Sequence, residues 1–174
     1  MKHPKFWARF FLVASIVTAV LIFWFSSKKG GDSQAMSDIV TLHVARTLKP
    51  DFMKMSVKAR QSYLEMLSTI VRKNAHFCEF MLLGFNLMGT MRFYFPMLSD
   101  GSCRLRAMGI AVLYAVSDEL HQLFISERSG QVLDVLIDSA GSLTGTLILT
   151  LCLVLLARMG TRLSERQASR RHSL

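Results

Sequence analysis

Cysteine, proline and acidic residues are all scarce in this chain of 174 residues. Its three cysteines, Cys78, Cys103 and Cys152, are odd in number and far apart, with no Cys-x-x-Cys pair, which argues against a disulfide-stapled scaffold. The only prolines are Pro4, Pro50 and Pro96, so long stretches carry no helix breaker. Acids number 12 against 21 Lys+Arg, a formal net charge of +9. By itself that balance points to a polyanionic partner. Yet no nucleic-acid motif is present, nor a basic stripe with interleaved aromatics, and no nucleic-acid partner is expected. Charge of any sign is thin, at 19%, against 51% hydrophobic residues, which excludes a disordered chain. The length allows one domain, taken as 1–174. The order of the residues decides between a soluble fold and a membrane fold.

Residues 10–25 run without a charge, and with only Arg9 interrupting, the run reaches back to Phe6. That is long enough for one helical crossing, and Arg9 can snorkel. A basic amino-terminal region also suits a signal peptide. The run ends on Phe23-Trp24-Phe25 without a small-x-small site close by, so a retained span is expected. Residues 139–157 form a second uncharged run. Two weaker runs, 74–91 and 107–125, hold His76, Glu79, Asp118, Glu119 and His121 but lack the polar outer face of a soluble amphipathic helix. The expectation is an all-α polytopic membrane protein, a bundle of four transmembrane helices at about 6–25, 74–94, 107–125 and 132–157, with a basic tail at 158–174. The prolines fall outside these spans, and Trp7, Trp24 and Phe93-Tyr94-Phe95 stand near span ends, as an interfacial aromatic belt does.

One long extramembrane segment, 26–73, separates the first two spans. Within it Tyr63, Met66, Leu67, Ile70 and Val71 share one helical face. Two readings stand side by side: an amphipathic helix lying on the membrane surface, and a helix packed on the bundle. Cations are divided almost evenly between the two sides, but long loops weigh little, and the termini carry Lys2, Lys5 and Arg9 at one end and five arginines at the other. Both termini are therefore expected in the cytoplasm, with the protein in the plasma (inner) membrane and lipids as its first partners. The tail suits either attraction to anionic lipid heads or a solvated topology signal.

Inside the spans lie His76, Glu79, Ser117, Asp118, Glu119, His121, Gln122, Asp134 and Asp138. Because spans two and four begin where span three ends, all of them fall toward one side of the bilayer. At helical rise Glu79, Asp118 and Asp138 sit about 7–10 Å inside the span edges. The far halves of the spans read as apolar. Shared depth suggests one site made by three helices, because intramembrane charges face a bundle interior or a wet cavity. Arg72, Lys73 and Arg128 stand at its rim, able to pair with the carboxylates. Gly141 and Gly145 continue the face of Asp134 and Asp138, a stripe that lets another helix approach closely.

The same residues carry a family resemblance. Arg72-Lys73-Asn74-Ala75-His76-Phe77-Cys78-Glu79-Phe80 resembles the first motif of the VanZ-like family. Tyr114 to Phe124, containing Ser117-Asp118-Glu119-Leu120-His121-Gln122, resembles the second. Arg128-x-Gly130, Asp134-Val135-Leu136-Ile137-Asp138 and the stretch ending at Gly145 resemble the third. Phe25-Ser26-Ser27 suits the family's start. Two departures occur, Lys28-Lys29-Gly30-Gly31 and Ser126-Glu127-Arg128, each where the family often has a Pro-Gly turn. The resemblance implies a small multi-span envelope protein, and the family's namesake is associated with low-level resistance to the glycopeptide teicoplanin.

The first functional expectation is a non-enzymatic protein whose polar layer, Arg72, His76, Glu79, Asp118, Glu119, His121, Gln122, Arg128, Asp134 and Asp138, binds the head of a lipid-linked or amphiphilic ligand. A second is an intramembrane metal-dependent hydrolase using His76, Glu79, Asp118, His121 and Asp138 as candidate ligands of a divalent metal. No His-Glu-x-x-His signature supports it, and no cofactor is assigned. A third, a proton or ion path, fits poorly with apolar far halves. A fourth makes the layer a helix-locking cluster without ligand.

Overall fold

The computed structural model describes residues 4–28, 30–126 and 130–172, leaving aside the side chains of 30–37 and 163–172. The described residues are helical with no strand: α1 (Pro4–Ser26), α2 (Gly30–Leu48), a single 3₁₀ turn (Phe52–Lys54), α3 (Val57–Tyr94), α4 (Asp100–Gln122) and α5 (Val132–His172). The all-α expectation holds.

Three boundaries differ from the sequence expectation, each for a physical reason. The amphipathic stretch and the run at 74–94 are one continuous helix, α3, of 38 residues. Nothing between Val57 and Leu83 can break it: neither proline nor glycine occurs there, and Arg72-Lys73 are good helix formers. Ser56 starts it by accepting a hydrogen bond from Ala59 N at 3.3 Å, and it stops two residues short of Pro96. Likewise α4 starts at Asp100 rather than 107, because Ser99 caps it through Ser102 N at 3.2 Å. The third difference is α2, which no sequence signal marked. It buries Thr41 and Ala45, one turn apart, and packs on Tyr63, Leu64 and Leu67 of α3 around Phe52. So the apolar face of residues 63–71 is only partly covered: Leu67 is buried, whereas Met66 and Ile70 are about half exposed.

The main core joins α1, α3, α4 and α5. On α4, Cys103, Ala107, Ala111 and Ala115 recur every four residues and are fully buried, a flat ridge that lets neighbours come close. Asp118, Glu119 and Gln122 continue that same buried face. Helices α3 and α5 form the most extensive pair. Gly141 lies against the Phe77 backbone, Gly145 against the backbones of Met81 and Phe85, and Gly84 against Ser142. The expected glycine stripe thus packs on α3. The contacts also fix direction. Lys73 meets Asp134 and Phe80 meets Ser142, so α3 and α5 run parallel. Thr18 meets Asn86 while Ser15 meets Thr90, so α1 runs antiparallel to α3. Ala19 meets Tyr114 and Ser26 meets Asp118, so α1 and α4 run parallel.

Among the described residues two helical stretches are long and apolar enough to cross a membrane, Pro4–Ser26 and Val132–Arg162, with mean hydropathies of 2.2 and 2.1. Only 28% of each apolar window is buried inside the protein, where the core helix of a soluble fold would be mostly covered. The combination suggests a membrane protein.

The far half of the bundle is not purely apolar, as the sequence had implied. Buried there are Ser15, Thr18, Asn86 and Thr90. Asn86 Nδ2 donates to Thr18 Oγ1 at 3.2 Å, and the Ser15 and Thr90 hydroxyls lie 3.2 Å apart. A scan for charge passes over them because they are uncharged and return hydrogen bonds to their own helices, Ser15 to Phe11 O and Thr90 to Asn86 O. Such contacts join helices modestly in lipid. Asn86→Ala is expected to cost about 0.6 kcal/mol in a detergent unfolding titration, the typical worth of an interhelical hydrogen bond in a membrane protein.

Candidate functional site

The described acids of the sequence layer lie where α1 and α4 end, α5 begins and α3 passes its midpoint. Asp118 is 3% exposed. Its Oδ2 accepts from Ser26 Oγ at 2.8 Å and from Gln122 Nε2 at 3.0 Å. Gln122 lies one turn beyond Asp118 on the same buried face, so the pair is local geometry. Ser26 was missed by sequence reasoning as a site residue. A serine near a helix end is ordinary, and only the family resemblance around Phe25-Ser26-Ser27 hinted at it. Ser27 is a second omission: its Oγ lies 3.2 Å from His121 Nε2, and the imidazole stacks on Phe23 with centroids 4.7 Å apart. The site therefore draws on four helices, α1 included, rather than three.

Two other acids are held in place by evident partners. Glu119 Oε2 accepts from the backbone N–H of Gln131 at 2.8 Å. Gln131 immediately precedes α5, so Glu119 ties down the helix start that would otherwise carry an unmatched donor. Asp134, in the first turn of α5, forms an ion pair with Lys73 of α3 and also suits the positive end of the helix dipole. Both partners are about three-quarters buried. Lys73 thus does the pairing expected of the rim cations. Arg128 lies outside the described residues. Ser117 is exposed and donates to Tyr114 O at 2.7 Å, away from the cluster.

Asp138 is different. It is 0% exposed, and neither carboxylate oxygen has a hydrogen-bond partner among the described residues. The carboxylates of Asp118, Glu119, Asp134 and Glu79 all lie within electrostatic range of it. The second oxygen of Asp118, Oδ1, is also buried without a hydrogen bond among the described residues. Burying an unsatisfied polar group costs about 1–3 kcal/mol, and more when it is charged. Four like-charged neighbours add to that cost.

His76 and Glu79 stand one turn apart on α3, both half-buried. With Arg72 they line a groove of about 610 Å³ between α2, the end of α1 and α3. Its walls are hydrocarbon, including Val40, Val44 and Leu48 of α2 and Leu67, Ile70 and Val71 of α3. Glu79 lines the groove and also lies within electrostatic range of Asp138, so one acid links the groove to the cluster. Among the described residues no group of three or more His, Cys, Asp or Glu is placed to hold a metal ion.

No curated protein and no solved structure matches the chain. The VanZ/LLP1 family model matches residues 11–154, a stretch that contains Ser26, Arg72, Glu79, Asp118, Asp134 and Asp138, and the chain belongs to that family.

Proposed function

We propose that this VanZ-family protein crosses the plasma membrane four times, with both termini cytoplasmic, and binds the polar head of an amphiphilic or lipid-linked envelope ligand at its acid layer. Four spans are supported by the alternating directions of α1, α3, α4 and α5, and by apolar side chains turned outward on the two less apolar helices. Leu82 of α3 is 50% exposed and Leu113 of α4 is 72% exposed. In water such faces would be a liability; in lipid they are the protein's proper surface. The role is binding rather than catalysis, and Arg128 is expected at the rim.

The single observation that carries the proposal is Asp138. Helix locking accounts for Glu119 and Asp134, each held by a partner. It does not account for a carboxylate with no donor among the described residues, within electrostatic range of four others. A ligand's counter-charge or donor is what such a group favours, and no described residue supplies a hydrogen bond to it. The test is mass spectrometry of amphiphiles extracted from purified wild-type protein and from Asp138→Asn. The wild type is expected to retain a bound amphiphile that Asp138→Asn loses, while both elute as the same folded species. Equal retention by both proteins overturns the proposal.

A further inference from the structure

We infer that the occupant of the groove between α2 and α3 is a lipid whose head carries both a phosphate and a primary amine, the chemistry of an aminophospholipid. This rests on the acid layer being a ligand site and specifies what the ligand is. The groove's volume, about 610 Å³, lies within the usual range for bound small molecules, and its walls are aliphatic, suited to an acyl chain rather than a free polar ion.

Its charged residues are of both signs and are ordered. On α3, Arg72, His76 and Glu79 follow at i, i+4 and i+7, one face of the helix, over about 10 Å. Lys28, just beyond the end of α1, supplies a second cation to the same groove. Among the described residues neither Arg72 nor Lys28 is in a salt bridge, whereas their neighbour Lys73 is taken by Asp134. Lys28 instead rests 4.4 Å above the ring of Trp24, an aromatic of the kind that sits at headgroup level. The guanidinium fork and the ammonium suit a phosphate. At the other end stands Glu79, within electrostatic range of Asp138. A purely anionic head would meet that carboxylate, and a purely cationic one would meet Arg72 and Lys28. A head with phosphate and amine separated along one chain satisfies both ends. A quaternary amine carries the charge but has no N–H to donate to a carboxylate such as Glu79, which can accept several hydrogen bonds.

The experiment is native mass spectrometry of the full-length protein with equal amounts of dioleoyl-phosphatidylethanolamine, -phosphatidylglycerol and -phosphatidylcholine. The wild type is expected to retain one phosphatidylethanolamine about tenfold over either competitor, a difference of about 1.4 kcal/mol. Replacing both cations, Lys28→Gln with Arg72→Gln, is expected to lower retention of phosphatidylethanolamine and phosphatidylglycerol alike. Glu79→Gln is expected to erase the preference between them. Val44→Trp, which fills the groove from the α2 side, is expected to displace the lipid. Unchanged retention in Val44→Trp overturns the inference, because the lipid then sits elsewhere on the protein. Retention of phosphatidylglycerol equal to phosphatidylethanolamine by the wild type overturns the headgroup assignment. In that case an amphiphile still lost from Asp138→Asn leaves the ligand site standing, and one still bound removes both.

Discussion

Gly145→Leu is expected to prevent assembly of the bundle, leaving no monodisperse peak on size-exclusion chromatography in mild detergent. A Cβ at Gly145 would overlap the Met81 carbonyl and the Phe85 backbone nitrogen. Both are main-chain atoms of α3, which cannot rotate aside as a side chain can. The two helices would have to separate along their whole contact, where Gly141 and Gly84 also depend on close approach. Overpacking commonly costs about 1–3 kcal/mol, and a branched side chain driven into backbone belongs at or beyond the upper end. Two controls make the result specific. Gly109 on α4 and Gly160 on α5 have open space where a Cβ would stand. Leucine at either is expected to leave elution and unfolding unchanged. A normal Gly145→Leu protein would show that α3 and α5 do not meet through this stripe.

The second large effect has the opposite sign. Asp138→Val, which removes the polar group with little change of size, is expected to stabilise ligand-stripped protein by about 1–3 kcal/mol, the penalty of an unsatisfied buried polar group. Replacing buried ionic groups with apolar ones is often neutral or stabilising. Removing one partner of a satisfied pair behaves otherwise. Lys73→Met strands Asp134 in a mostly buried position and is expected to destabilise. Unfolding midpoints in detergent, measured side by side, check both signs. A loss of stability in Asp138→Val equal to that in Lys73→Met would make the layer a packing device. A gain in stability together with loss of the bound amphiphile is the signature of a residue kept for a ligand.

The sequence was informative where residues are costly in their setting. Glu79, Asp118, Glu119, Asp134 and Asp138 interrupt apolar runs, and such interruptions are rare enough to read. Helices of alternating direction bring the end of one run beside the start of the next, so the meeting of Asp118 with the acids of α3 and α5 was readable from order alone. The glycine stripe was legible for a similar reason, since its spacing matches one helical face. What escaped was chemistry of low cost. Ser26 and Ser27 are ordinary residues at a helix end, and only the packing of α1 on α4 turns them toward Asp118 and His121. Asn86 and Thr18 meet across helices for the same reason. Helix α2 carries no clean apolar periodicity, because its buried face is narrow and includes a threonine, Thr41. The groove it forms with α3 was therefore invisible, and with it the place of Arg72 and His76 in the groove wall.

The central claim is that the acid layer, reached from the groove between α2 and α3, holds a ligand's polar head. Its most direct test is a high-resolution density map of the wild-type protein in nanodiscs made from its native lipids. Continuous non-protein density is expected along Val44 and Val71, with its head against Arg72 and Glu79 and facing Asp138. A groove closed by side chains, with Asp138 bonded to another residue of the chain and no foreign density near it, would contradict the claim.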